Sequence, residues 1–244
     1  MKLLAFETAT EACSVALWID GAVRERFEIA PRRHAELALP WAEQLLAEAG
    51  IAKSQLDAIA VGRGPGAFTG VRLAVALAQG IALALDRPVV PVSTLAVLAC
   101  ADASSADTTN AAGDSVGDEV RILAAIDARM GEVYAATFVR GGGGLVATSQ
   151  ELVAAPDAVA LVDVGEGWIG VGTGFSALDG RLRTRLQDRF ARIDATALPH
   201  AADVARLAVR AFERGESVAA EQLQPAYLRD NVALTLQQQA ASRG

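Results

Sequence analysis

Apolar residues arrive in short runs broken by polar turns, and their spacing shifts from two to four at defined points along the chain. Leu3 to Thr8 is an apolar run closing on Thr8-Ala9-Thr10-Glu11. Cys13 to Ile19 is a second run, and Asp20-Gly21 then predicts a two-residue hairpin into a third strand, Val23 to Ile29. Leu37, Trp41, Leu45 and Ala49 recur every four residues with Leu46 beside them. That spacing predicts an amphipathic helix with Pro40 near its first turns and Gly50 as its stop. Asp57 to Val61 predicts a strand that runs straight into Gly62-Arg63-Gly64-Pro65-Gly66-Ala67-Phe68-Thr69-Gly70. Val71 to Leu85 is apolar almost all round, which predicts a helix buried on more than one side. Pro88 to Val92 reads as a strand and Thr94 to Ala101 as a helix.

The character changes between Asp102 and Glu119, where Ser, Thr, Asn, Asp, Gly and Ala hold only one large apolar residue, Val116. Such a stretch predicts a flexible connection dividing the chain near its middle. Beyond it the opening pattern returns at an offset of 120: Leu3-Leu4-Ala5-Phe6-Glu7 matches Leu123-Ala124-Ala125-Ile126-Asp127, and Gly21 matches Gly141. A duplicated strand–acid–turn–strand unit follows from this. Ile169 to Thr173 adds a short strand, and Ala201 to Phe212 a helix with Val204, Leu207, Ala208 and Ala211 on one face. The expected organisation is α/β. A first lobe spans 1–101, a connection 102–119 and a second lobe 120–244, whose last helix could pack back on the first. This plan resembles the two-lobed actin-like ATPase fold, two ribonuclease-H-like units facing a cleft.

Composition trims the function classes. Of the 52% hydrophobic residues, 52 of the 244 are alanine, and the longest uncharged apolar stretch runs only from Leu73 to Leu85. A membrane span needs about 20 residues, and four apolar residues before Glu7 are too few for a secretory leader. A cytoplasmic protein is expected. Twenty Arg and two Lys against 29 acids leave a net charge of −7, which argues against a chain that wraps nucleic acid by itself. Arg181, Arg183, Arg185, Arg189 and Arg192 read as a solvated helix face. Cys13 and Cys100, in apolar contexts without CxxC spacing, read as buried thiols.

The glycine-rich loop after the fourth strand is the most informative local feature. Its amides could cradle an anion at a helix start, or Gly64 and Gly66 could simply make a tight turn with Thr69 capping the helix. No Lys-Ser or Lys-Thr pair follows, so it is not a Walker loop, and Pro65 and Phe68 break a dinucleotide fingerprint. Gly170-Val171-Gly172-Thr173-Gly174 leaves the same choice open between an adenosine loop and a strand-to-helix bend. With only His34 and His200, no Ser/His/Asp arrangement is recoverable.

Gly64-Pro65-Gly66-Ala67-Phe68-Thr69-Gly70-Val71-Arg72 resembles the GPGSFTGxR signature of the TsaB (YeaZ) family. Glu7-Thr8-Ala9-Thr10 with Cys13-Ser14-Val15-Ala16-Leu17, Asp127-Ala128-Arg129-Met130-Gly131-Glu132-Val133-Tyr134, and Pro225-Ala226-Tyr227-Leu228-Arg229-Asp230 agree with it. The resemblance implies a non-catalytic subunit that binds and activates TsaD, which transfers a threonylcarbamoyl group to a tRNA adenosine beside the anticodon. TsaE, an accessory ATPase, would join through that complex, tRNA would enter only as the complex's substrate, and the isolated chain would be a homodimer. No catalytic residue, cofactor or metal is expected. In TsaD a His pair spaced by four follows the same loop and binds the catalytic metal; the same count from Gly64 lands on Thr94 and Leu98, which do not suit such a site. Glu7 departs from the Asp usual at the end of the first strand, and near-ideal octahedral magnesium placement tolerates such a change poorly.

A vestigial nucleotide cleft would involve Thr8, Thr10, Gly64, Gly66 and Asp127. The partner interface is expected on the helix after the loop, at Arg72, Val75, Ala76, Gln79, Gly80 and Leu83, where small residues permit close helix approach. An autonomous ATP-dependent phosphotransferase and a glycoprotease-like peptidase are the competing readings.

Overall fold

The computed structural model describes residues 1–101, 119–162 and 165–229. The connection expected at 102–119 falls outside them except for Glu119. The first half holds β1 (Lys2–Glu7), β2 (Ala12–Ile19), β3 (Ala22–Ile29), α1 (His34–Ala49), β4 (Ala58–Gly62), α2 (Phe68–Leu85), β5 (Val89–Val92) and α3 (Thr94–Ala101). The second holds β6 (Val120–Arg129), β7 (Glu132–Gly141), β8 (Gly144–Ala147), β9 (Leu152–Ala154), β10 (Trp168–Val171), α4 (Ala177–Leu186), β11 (Phe190–Asp194) and α5 (Ala201–Glu213).

Two sheets form, and their orders correspond. The first runs β3-β2-β1-β4-β5 and the second β8-β7-β6-β10-β11, with β9 pairing β7 off the path. In both, the first three strands are antiparallel and the last two lie parallel to the central strand. This is the two-lobed, actin-like α/β fold built from ribonuclease-H-like units. Asp20 and Gly21 both take positive φ, 47° and 99°, so the β2–β3 hairpin closes on the primed turn that matches strand twist. Gly141 ends β7 beside the corresponding turn rather than inside it.

The cores cross the halves. Leu4, Phe6, Val15, Leu45 and Leu46 pack on one face of the first sheet with Ala74, Val75 and Ala78 from α2. The other face, with Leu3, Ala5 and Ala60, is covered by Val204, Ala205 and Ala208 of α5, from near the chain's end. Leu95, Leu98 and Ala99 of α3 pack instead with Ile122, Ile126 and Phe138 of the second sheet. Leu182 and Leu186 of α4 join Trp168 and Phe175 on its far side.

Three local expectations are corrected here. α2 starts at Phe68 after Ala67, so Thr69 lies in its first turn and caps nothing. α2 is also buried along one side only: Ala76, Gly80, Leu83 and Ala84 are exposed. A single sheet face receives it, so apolarity beyond that contact is left uncovered. The arginine cluster is not simply solvated either: Arg185 donates to the Val159 carbonyl, and Arg189 to the Gly165 carbonyl at 2.7 Å.

Candidate functional site

The two halves meet around a cleft of about 1180 Å³, lined by Thr10, Gly66, Phe68 and Arg72 from the first half and by Asp127, Met130, Tyr134 and Thr173 from the second. The segment 225–229 forms part of its rim. Thr10, Gly66 and Asp127 therefore share one concavity, whereas Thr8 and Gly64 do not line it.

Thr8 is wholly buried, and its hydroxyl donates to the Gly70 carbonyl at 2.7 Å. The Thr10 hydroxyl accepts the Ala12 amide at 3.3 Å. The glycine loop is pressed onto the same turn. A Cβ at Gly66 would stand 2.3 Å from the Ala9 carbonyl oxygen, and one at Gly70 would stand 2.0 Å from that of Thr8. The Ala67 amide donates to Ala9 O at 2.7 Å, so a donor that could meet an anion is already engaged. These glycines serve close backbone approach. The second glycine run does likewise, since a Cβ at Gly172 would meet the Ala125 carbonyl oxygen at 2.3 Å.

The two acids differ in setting. Glu7, at the end of β1, is 0% exposed. Its carboxyl accepts the Ala9 amide at 2.7 Å and the Thr94 hydroxyl at 3.1 Å, and it packs so tightly on β4 that a Cβ at Gly62 would fall 1.9 Å from Oε2. Burial pushes its pKa up to about 7, although the hydrogen bonds from Ala9 and Thr94 pull the other way. Asp127 is part-exposed, and its carboxylate closes a local turn by accepting the Arg129 amide at 2.8 Å and pairing with the Arg129 guanidinium at 2.9 Å. Leu98 is buried in the second core. Among the described residues no three His, Cys, Asp or Glu side chains cluster as a metal would require.

One convergence escaped the sequence reading. Ser14, Glu25 and His200 come together although up to 186 positions separate them: Ser14 Oγ donates to Glu25 Oε1 at 2.6 Å, and His200 Nδ1 donates to Oε2 at 3.1 Å. The carboxylate sits between hydroxyl and imidazole, so the His cannot take the Ser proton. Ser14 is also wholly buried and accepts the Ala201 amide at 2.8 Å. The cluster clamps the start of α5 to the first sheet. Only the tertiary fold could reveal it, because no spacing rule links β2, β3 and α5. His34 is similarly structural: its Nε2 faces the carbonyls of Thr10 and Ala12 at 3.0 and 3.2 Å and so carries the proton. Burial pushes the thiols of Cys13 and Cys100 to about 11, so neither is an activated nucleophile.

Comparison with known proteins decides among the families that share this fold. A family model described as TsaD, tRNA N6-adenosine threonylcarbamoyltransferase, matches residues 27–236. The Escherichia coli tRNA threonylcarbamoyladenosine biosynthesis protein TsaB is 41% identical over 96% of both chains. The chain belongs to the TsaB family. Likeness to a transferase itself is shorter: the Magnetococcus marinus tRNA N6-adenosine threonylcarbamoyltransferase is 52% identical over 65 residues, 27% of this chain and 18% of that one. A crystal structure from Pseudomonas aeruginosa, described as an uncharacterised protein with similarity to the peptidase YeaZ, superposes with a TM-score of 0.82 at 44% identity. It covers 93% of this chain and 99% of that one.

In this TsaB-family chain the residues expected on an interface separate into three groups. Ala76, Gly80 and Leu83 lie on the exposed side of α2, and Arg72 is half-exposed beside them. Val75 does not belong there: it is buried in the first core with Leu4, Phe6 and Val15, because its position on the helix turns it to the sheet. Gln79 is turned inward too, donating from Nε2 to the carbonyls of Ala220 and Leu223 at 3.1 Å each.

Proposed function

We propose that this chain acts in threonylcarbamoyladenosine formation on tRNA as a non-catalytic subunit that docks with and activates a TsaD-type transferase. TsaE would join through that pair, and tRNA would be met as the complex's substrate. The observation that carries this reading is the use made of the site positions. Where the transferase has its metal-binding His pair, Thr94 is a buried hydrogen-bond donor to Glu7 and Leu98 is core. Thr8, Gly64 and Glu7 are withdrawn into packing, and Thr10, Gly66 and Asp127 remain on the cleft as elements of a vestigial nucleotide site.

The exposed side of α2 supplies the docking surface. Ala76, Gly80 and Ala84 let another helix approach closely, and Leu83, 64% exposed, gives it an apolar contact. The same patch would pair two copies of the chain when the transferase is absent. Reconstitution tests the proposal. The chain alone should neither hydrolyse ATP nor modify tRNA, and adding it to the transferase, TsaE and the threonylcarbamoyl-adenylate donor should restore modification. ATP turnover by the isolated chain would favour the phosphotransferase reading instead.

A further inference from the structure

Arg72, in the second turn of α2, is held between two aromatic rings. Its guanidinium carbon stands 3.2 Å from the centroid of Phe68 and 5.0 Å from that of Tyr227, and its Nε donates to the Tyr227 hydroxyl at 3.0 Å. Tyr227 is delivered by a strap crossing from one half to the other: the Ala226 amide donates to the Arg63 carbonyl at 2.8 Å, and Arg229 pairs with Glu132 at 2.5 Å.

The guanidinium's hydrogen-bonding capacity is largely unused. It carries five N–H donors in a planar fork. Arg72 Nη1 is buried and has no acceptor, and among the described residues no carboxylate pairs with this side chain. A buried N–H without an acceptor is unfavourable, and the ring contact with Phe68 offsets part of that cost without supplying an acceptor. The covering ring of Phe68 is itself 64% exposed, and Tyr227 is 59% exposed. An oriented cation with unmet donors thus lies under two solvent-facing rings, at the end of the exposed α2 face. Arg and aromatic side chains in that arrangement are the residue types on which binding energy concentrates.

We propose that the Phe68–Arg72–Tyr227 sandwich anchors the docking face, and that Arg72 receives a carboxylate from an Asp or Glu side chain of the transferase-type partner. This rests on the docking reading above. Turning the Phe68 ring aside uncovers Nη1, and the planar fork then meets both carboxylate oxygens. A protein carboxylate is favoured over a polyanion because the rings continue the apolar face of α2, and because a chain of net charge −7 repels extended phosphate backbones. The strap makes the face a composite of both halves.

Binding of the purified transferase from the same organism tests this, titrated against the wild type and the variants Arg72→Ala, Arg72→Lys, Tyr227→Phe and Ala76→Glu, with circular dichroism as the check on folding. Arg72→Ala should weaken binding roughly 30-fold and reduce the rise of Kd with added salt. Arg72→Lys should recover only part of the loss, because an ammonium neither forks nor stacks. Should Arg72→Ala fail to fold, Tyr227→Phe carries the test: it removes one exposed hydroxyl, and a several-fold loss is expected. Unchanged Kd and salt dependence in Arg72→Ala, with binding abolished by Ala76→Glu, would overturn the carboxylate anchor and leave the docking face standing. Failure of the wild type to bind would remove both. Competition by inorganic phosphate that vanishes in Arg72→Ala would overturn the protein carboxylate in favour of a phosphate ligand.

Discussion

The hydroxyl of Thr94 donates to the carboxyl of Glu7 at 3.1 Å, joining the start of α3 to the end of β1 where neither residue meets solvent. The longer reach of Glu over Asp makes this contact, and Gly62 leaves the room for it. A position from which an actin-like enzyme would address a metal–phosphate group is here an internal tie. Thr94→Val should therefore cost about 1–3 kcal/mol, by leaving the carboxyl one donor short. For a chain of this size that corresponds to a fall of roughly 2–4 °C in melting temperature per kcal/mol, read by thermal denaturation. No change would show that the bond contributes nothing.

Glu7 also makes stability depend on pH with a defined sign. Its folded pKa, about 7, lies above the unfolded value of 4.5, so between these the native state holds more protons than the unfolded state. Stability should fall as pH rises from about 4.5 to about 7 and then level off. Glu7→Gln should remove this slope, and denaturant titrations across the window give the comparison.

The clamp on α5 has the opposite origin. The hydrogen bond to Glu25 raises the pKa of His200 against the effect of burial. Burial opposes ionisation of Glu25, but the donors His200, Ser14 and Ala202 hold its carboxylate below the ordinary range. The contribution of His200 is complete below about 6.5, the unfolded value, and is lost as pH rises through the higher folded one. His200→Ala should lower the melting temperature at pH 6 more than at pH 9. An equal loss at both values would show that stacking on Phe27, rather than the charge pair, supplies the stabilisation.

Val75 and Ala76 are neighbours with opposite fates. Val75→Asp should unfold the first half, because it places an unpaired charge in the core. Ala76→Glu and Leu83→Glu should keep native circular dichroism and lose transferase binding. A folded Val75→Asp protein would contradict the assignment of that side to the core.

Stoichiometric metal is not expected. Elemental analysis of metal-exchanged protein should find well under one zinc or iron per chain, and a tightly held equivalent would send the search back to Asp127 and the cleft.

Much of the architecture was legible along the chain because it is locally encoded. The apolar run from Cys13 to Ile19, the Asp20-Gly21 turn, the fourfold spacing from Leu37 to Ala49 and the offset of 120 all report backbone preference and burial, which neighbouring residues determine. The reading of Thr94 and Leu98 came from the family resemblance rather than from local pattern, and the structure places one in a hydrogen bond to Glu7 and the other in a core. What the sequence could not decide was which partner each surface meets. The apolar pattern of α2 does not say that one sheet face covers it and leaves Ala76 and Leu83 bare while taking in Val75. The glycines of the loop are equally suited to cradling an anion or to accepting the Ala9 carbonyl, and only the approach of the β1–β2 turn separates the two. Ser14, Glu25 and His200, or Arg72 and Tyr227, meet because helices and a strap from late in the chain return to the first sheet. Such contacts are set by the packing of whole elements, and no local preference records them.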